Sequence, residues 1–367
     1  MMMLIKLKVV LLIALSIVFQ NGQSQESAPV KIGIAGLTHG HVAWILGRGD
    51  RGDIEVVGIA ESNRELATRL SKRFNFSMDL VYPSLEEMIE ATGPEAVTAF
   101  NSTYEHLEVV ETCAPKGIHV MVEKPLAVSV DHAMKMKDLA EKNKIYLITN
   151  YETTWYPTNL KAFQMVNADS IGEIRKVVIH DGHKGPKEIG VNNEFLEWLT
   201  NPTLNGAGAL YDFGCYGANL ITWLMNGEKP LSVTAVTSTN KPEIYKQVDD
   251  EATIILQYPK AQAIIQASWN WPFSRKDMEI YGETGTIFSD NRRTIRYKLD
   301  PRKSETEENL PPRPVPYDDP FSFFSSVVKG EVEMDKYDLS SIENNLIVVE
   351  ILEAARKSSK VNYSIKL

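Results

Sequence analysis

Ile118-His119-Val120-Met121-Val122-Glu123-Lys124-Pro125 decides how this chain is read. An apolar run of strand length ends in a carboxylate, an ammonium and a proline. The proline fixes φ and has no N–H, so the backbone leaves the strand beyond Lys124 in a set direction. If the run belongs to a parallel sheet, Glu123 and Lys124 stand at its carboxyl edge, where ligands bind in open α/β sheets. A lysine there can hold a substrate hydroxyl. Three residues alone describe a surface lysine equally well, so the neighbouring elements must decide.

Working outward, short β-rich runs at 31–35, 54–60, 96–100, 118–122 and 145–149 alternate with helical stretches at 64–74, 85–91, 106–116 and 130–143. Near-continuous apolar strands alternating with amphipathic helices predict a parallel sheet covered on both faces. The fold class is α/β, with a doubly wound dinucleotide-binding domain over 30–150. Past Asn150 the pattern changes. Runs at 177–180, 232–238, 252–257, 263–267, 279–281 and 286–289 read as strands in hairpin-like succession. One helix near 218–225 interrupts them, and two more close the chain near 320–328 and 339–357. This predicts a second, α+β domain over 151–367 built on a large antiparallel sheet. The charged, proline-rich stretch 302–316 reads as an exposed loop.

A length of 367 residues suits two domains. With 43% apolar and 24% charged residues and a net charge of -9, the composition is that of a soluble globular protein without a basic face for nucleic acid. Lys6 and Lys8 precede an apolar run over 9–19, and the small residues Gly22 and Ser24 follow. That is the layout of a secretory signal peptide over 1–24, so a periplasmic or secreted protein is expected. The run is too short to span a bilayer comfortably, and no stable membrane insertion is expected after its removal. Cys113 and Cys215 fall in different halves and read as two free, buried thiols.

The first strand runs into Gly33-Ile34-Ala35-Gly36-Leu37-Thr38-His39-Gly40-His41. A full dinucleotide fingerprint is G-x-G-x-x-G, whose glycines let the backbone close on a pyrophosphate at a helix N-terminus. Counted from Gly36, Thr38 takes the second glycine place and His41 the third, so one glycine of three is in register. Glu61 ends the second strand near the offset of the acid that binds the adenosine ribose. Its carboxylate favours NAD over NADP, and Arg64 nearby leaves NADP possible. Asn101 and His106 follow the fourth strand and face the same crevice. The candidate cofactor-binding residues are therefore Gly36, Thr38, His39, Glu61, Asn101, His106, Glu123 and Lys124.

In the second half, Asp212, Tyr216 and Asn219 have the i, i+4, i+7 spacing that lines one face of a helix. A polar stripe on an apolar segment either finds partners or lines a cavity. A tyrosine can act as a general base for an alcohol if a neighbouring lysine lowers its pKa. Trp155, Trp198, Trp269 and Trp271 offer flat apolar faces for sugar C–H groups. His180-Asp181-Gly182-His183 does not make a closed metal set, and no metal is expected. His183 is instead placed at the mouth of a substrate cleft.

These pieces, in order with Ile171-Gly172-Glu173-Ile174 and the tail Leu352-Glu353-Ala354-Ala355-Arg356-Lys357-Ser358, resemble the Gfo/Idh/MocA family of oxidoreductases from about Val30 to Leu367. The reading Asp212-x-Gly214-x-Tyr216-x-x-Asn219, with tyrosine where many members have histidine, resembles the branch of glucose–fructose oxidoreductase and the sugar and dihydrodiol dehydrogenases. The resemblance implies NAD(P)-dependent hydride transfer at a sugar hydroxyl or carbonyl. Lys124 would orient the reacting hydroxyl, Tyr216 accept the proton, and Asp212 position substrate or Lys124, with Asn219, His183 and Trp155 as substrate-binding residues. Two alternatives stay open. One is an NAD-dependent glycoside hydrolase that oxidises a sugar C3 transiently, and the other an inactive nucleotide-binding relative. The partner expected is a neutral sugar or glycoside, because 150–160 lacks the arginine many members have there. A homodimer or homotetramer is expected from an open sheet face.

Overall fold

The computed structural model describes residues 28–367. The signal segment expected over 1–24 lies outside the described residues. Strands β1 (Val30–Ala35), β2 (Ile54–Ala60), β3 (Val81–Tyr82), β4 (Ala96–Ala99), β5 (His119–Glu123) and β6 (Leu147–Asn150) form one parallel sheet in the order β3-β2-β1-β4-β5-β6. Its central strands are buried on both faces, as their unbroken apolar sequences require. The helices between them start where polar side chains accept orphan backbone N–H groups. Asn63 caps Arg64–Phe74, Ser84 caps Leu85–Thr92 and Ser129 caps Val130–Asn143. Strand order reverses between β1 and β4, so a crevice opens beside the carboxyl ends of these strands.

The second sheet has nine strands in the order β14-β13-β12-β11-β7-β10-β9-β8-β15. They are β7 (Ile174–Gly182), β8 (Ser232–Ser238), β9 (Glu251–Gln257), β10 (Gln262–Ser268), β11 (Arg275–Gly282), β12 (Thr286–Ser289), β13 (Thr294–Lys298), β14 (Thr306–Asn309) and β15 (Ile365–Lys366). All pairs are antiparallel except β7 with β10. Val177, Ile179, Ile254 and Ile265 alternate inward onto one face. The helices Gly214–Leu224 and Ile342–Val361 cover that face. Gly217 permits the close approach, since a Cβ there would lie 2.5 Å from an Ile265 methyl.

One expectation needs correction here. Thr306–Asn309, read as loop, is an edge strand, and β13 beside it was unforeseen. Its sequence Thr-Glu-Glu-Asn lacks apolar alternation because backbone pairing and the Tyr297 hydroxyl bond to Glu308 hold it, and charge suits an exposed edge. The two lobes also interlock through a late segment of the chain. Phe321, Phe324 and Val327 of helix Pro320–Val328 pack with Ile32, Ile34 and Ile59 of the first sheet. Cys113 and Cys215 are free and buried. Among the described residues no helix is long and apolar enough to cross a membrane.

Candidate functional site

The end of β5 and the short helix Ala209–Asp212, which precedes the helix Gly214–Leu224, meet across the lobes. Lys124 Nζ donates to Asp212 Oδ1 at 2.5 Å and to the Asp212 carbonyl at 3.2 Å. Trp269 Nε1 donates to the other carboxylate oxygen at 2.9 Å. Burial alone would lower the Lys124 pKa, but the Asp212 charge outweighs it and raises it. Burial likewise works to raise Asp212, and Lys124 holds it below its ordinary value. The pair is therefore ionised at neutral pH, with Lys124 as a fixed donor.

Both residues line a cleft of about 690 Å³ that also contains Tyr216, His183, His41 and Lys276. Lys276, from the start of β11, donates to Glu152 at 2.6 Å, and its ammonium lies 4.3 Å from the Tyr216 ring centroid. Lys124 lies 5.2 Å from the same centroid. The Tyr216 hydroxyl makes no hydrogen bond among the described residues. Burial, then the charges of Glu152 and Asp181, push this phenol well above its ordinary value. The expected role of Tyr216 as proton acceptor thus loses its physical basis. Lys124, which was to lower its pKa, faces the ring and is paired with Asp212. A protonated Tyr216 is a hydrogen-bond donor to whatever occupies the cleft.

A second cavity, of about 540 Å³, lies at the carboxyl ends of β1, β2 and β4 and is lined by Gly36, Thr38, Glu61, Asn101 and Trp198, among others. Gly36 has φ +76°, and a Cβ there would come within 2.8 Å of the Asn101 Cβ. The Asn101 Oδ1 is buried without a partner. Glu61 accepts the Leu37 N–H at 2.9 Å and the Asn63 N–H at 2.8 Å, which leaves each oxygen a free lone pair. Arg64 turns away to the Val81 carbonyl at 3.3 Å. These two cavities flank the turn at 36–41, with the Glu61 carboxylate in one and the Lys124 ammonium in the other. The turn between them is roofed by the helix Asn193–Leu199. Trp198 Nε1 donates to Thr38 Oγ1 at 3.0 Å, Asn192 Nδ2 donates to the Thr38 carbonyl at 3.3 Å, and Phe195 packs 4.6 Å from the His39 ring.

Four of the expected site residues do not line either cavity. His106 is buried behind β5, where Nδ1–H donates to the Leu126 carbonyl at 3.1 Å and burial lowers its pKa to about 4. It props the Glu123-Lys124-Pro125 turn as a neutral ring. Glu123 also sits behind the cleft, between Asn150 and His41. Asn219 points the other way, donating to the Leu339 carbonyl at 2.8 Å. Trp155 is buried against Phe323 and donates to Asn150 at 3.1 Å. His39, Lys124, Asp212, Tyr216 and His183 do meet at the cleft. His39, His41 and Glu123 each place a ligand-type atom within 4.8 Å of the others, and hydrogen bonds account for their convergence.

Sequence reasoning missed His41, Glu152 and Lys276, and it missed a cationic rim. Arg275, Arg292 and Arg293 line the cleft from the start of β11 and from the β12–β13 turn. The last two have no carboxylate partner among the described residues. His41 alone carried a local signal, as a histidine where the fingerprint wants glycine.

Comparison with known proteins agrees with this geometry. Residues 30–151 match the model of an oxidoreductase family with an NAD-binding Rossmann fold, and residues 159–288 match that of the GFO/IDH/MocA C-terminal domain. A trans-1,2-dihydrobenzene-1,2-diol dehydrogenase of Xenopus tropicalis is 27% identical over 217 residues, covering 59% of this chain and 61% of the relative's length. The scyllo-inositol 2-dehydrogenase (NADP(+)) IolU of Bacillus subtilis is 25% identical over 333 residues, covering 87% of this chain and 95% of the relative. Among solved structures, an inositol dehydrogenase homolog of Azotobacter vinelandii complexed with NAD+ superimposes with TM-score 0.81 at 14% identity, covering 93% of this chain and 98% of that one. An aldose-aldose oxidoreductase of Caulobacter crescentus does so with TM-score 0.76 at 20% identity, covering 92% and 100%. At these identities the structures share the fold.

Proposed function

Because the chain belongs to the GFO/IDH/MocA family of oxidoreductases, with an NAD-binding Rossmann domain, we propose that it is an exported dehydrogenase acting on a hydroxyl-bearing carbon of a sugar or polyol. The buried Lys124–Asp212 ion pair carries this reading. It puts a permanently charged donor, shared between the lobes, on the wall of the cleft. When bound, the nicotinamide supplies the two-electron acceptor or donor. Lys124 donates to the substrate oxygen and stabilises negative charge that develops there. Asp212 and Trp269 fix the ammonium, and the Tyr216 hydroxyl is a second donor. Glu61, with Arg64 turned away, supports NAD over NADP.

Cleavage of a glycoside through transient oxidation is a second reading, favoured by the helix roof over Thr38 and His39. A cofactor held beneath that roof is retained from one turnover to the next, which suits a compartment poor in free nucleotide. The test is to denature the purified protein, identify any released nucleotide, and screen sugars, polyols and glycosides with and without added NAD. Release of NAD with net NADH formation selects the dehydrogenase, and glycoside cleavage without NADH selects the hydrolase. Neither turnover nor nucleotide overturns both.

A further inference from the structure

Resting on the dehydrogenase reading, the geometry points to His41, held by Glu123, as the group that exchanges the proton of the substrate hydroxyl. This places the base on the first lobe instead of on the substrate helix.

The argument begins with a chain of hydrogen bonds behind the cleft. Trp155 Nε1 donates to Asn150 Oδ1 at 3.1 Å, Asn150 Nδ2 to Glu123 Oε1 at 2.8 Å, and His41 Nδ1 meets Glu123 Oε2 at 2.9 Å. Both Glu123 oxygens are thereby oriented. Burial works to raise this carboxyl, yet His41 and Asn150 bring it down to about 2, so it is ionised at every working pH. A carboxylate cannot donate, so His41 Nδ1 must carry the proton. Nε2 is then the lone-pair nitrogen, and it has no bond among the described residues. Trp44 stacks on the ring at 3.8 Å and fixes its plane. His41 lines the cleft, with 21% of its side chain exposed. This is the carboxylate–imidazole arrangement that sets the tautomer of a general base.

The other groups of the cleft are unsuited to the task. Asp212 is occupied by Lys124 and Trp269. Glu152 accepts from Lys276 and from the Tyr156 hydroxyl, each at 2.6 Å. Tyr216 stays protonated. His183 accepts the Gly185 N–H on Nδ1 at 2.9 Å, and His39 accepts the His41 N–H on Nδ1 at 3.0 Å. In the neutral rings both therefore present Nε2–H, a donor. His41 has the opposite tautomer and offers the lone pair. The titratable and charged groups that face it are Glu123, Glu152 with its partner Lys276, and neutral His39.

In the oxidation, the substrate O–H bond breaks as a proton moves to His41 Nε2. With a nicotinamide bound, the group would supply the two-electron acceptor for the C–H electron pair, and the carbinol would become a C=O. The imidazolium, paired with Glu123, returns its proton to water. The reverse sequence serves reduction.

Two measurements on the whole protein test this. In protein labelled with ¹⁵N-histidine, assigned through His41→Asn, His41 is expected as the Nδ1–H tautomer, and Glu123→Gln should weaken that preference. An Nε2–H tautomer overturns the proposal whether or not a substrate is known. With a sugar or polyol that the wild type turns over, His41→Asn should lower kcat, measured at saturating NAD, on the order of 10²-fold or more. Glu123→Gln should shift the acid limb of the kcat/KM profile, and Tyr216→Phe should leave that limb in place. Wild-type kcat in His41→Asn, or a limb that moves with Tyr216→Phe alone, overturns it. Absence of turnover in the wild type refutes the dehydrogenase reading instead, and the tautomer still reports on the dyad.

Discussion

At the scale of single residues, the site is governed by charges that burial forbids to stand alone. Replacing Lys124 by Met strands the Asp212 carboxylate in a buried position, which is expected to lower stability by about 3 kcal/mol. Adding Asp212→Asn removes the stranded charge, so the double variant should recover more than about 1 kcal/mol of that loss. Urea unfolding of the four proteins measures the coupling, and strictly additive effects would refute a mutually dependent pair. His106 makes a separate claim. Its pKa lies near 4 in the fold against an ordinary 6.5. Above pH 6.5 the ring is neutral in both states and its full contribution is present. As pH falls from 6.5 to 4, the unfolded chain takes up a proton that the fold refuses. The wild type therefore loses up to about 3 kcal/mol in this window through His106. His106→Asn keeps a donor for the Leu126 carbonyl without the titration, so its stability should fall less between pH 7 and pH 4.5 in urea melts. Equal losses in both proteins would show that the ring is protonated in the fold.

At the scale of elements, positions along the chain matter less than where register delivers their ends. Arg275↔Gly182 and Lys276↔Asp181 pair across β11 and β7, so the start of β11 reaches the cleft beside His183. The β12–β13 turn adds Arg292 and Arg293 to the rim. No local pattern announces this, because Lys276 belongs to the site only once two strands distant in sequence have paired. The apolar run before Glu123 is different, since five buried or half-buried positions and a proline announce a strand end within one short segment. His41 stands between these cases. Its place in the turn is legible, and its tautomer depends on Glu123, which comes from another strand. The expectation of a neutral sugar rested on 150–160 and on the tryptophan faces, and did not weigh cations arriving from elsewhere. Replacing Arg292 and Arg293 together by Gln should lower kcat/KM for an anionic sugar on the order of tenfold at low ionic strength, and less in added salt. A neutral sugar should be unaffected. Equal effects on charged and neutral substrates would mean that the rim acts through structure rather than charge.

At the scale of the whole molecule, the two lobes are bound together by late segments of the chain and by the ion pair at the cleft. The helix Pro320–Val328 belongs in sequence to the second lobe but packs on the first sheet, a return that periodicity along the chain does not encode. The nine-stranded sheet is covered by helices on one face only. On the other face, Val178, Ile264 and Ile255 stand in register across β7, β10 and β9, each half-buried. Three apolar side chains in a row across the middle of a wide sheet are what a partner surface would cover. A second copy of the chain is the economical occupant, because a two-fold axis through the row sets each of these residues against its own kind. The protein is thus expected to run in light scattering at two or four times the monomer mass. Ile264→Glu should shift it toward the monomer, since its charge lies in the centre of the row. The cleft opens elsewhere, so the NAD affinity of this variant should stay at the wild-type value. A wild type that remains monomeric at tens of micromolar would leave the row without its expected cover and refute the pairing.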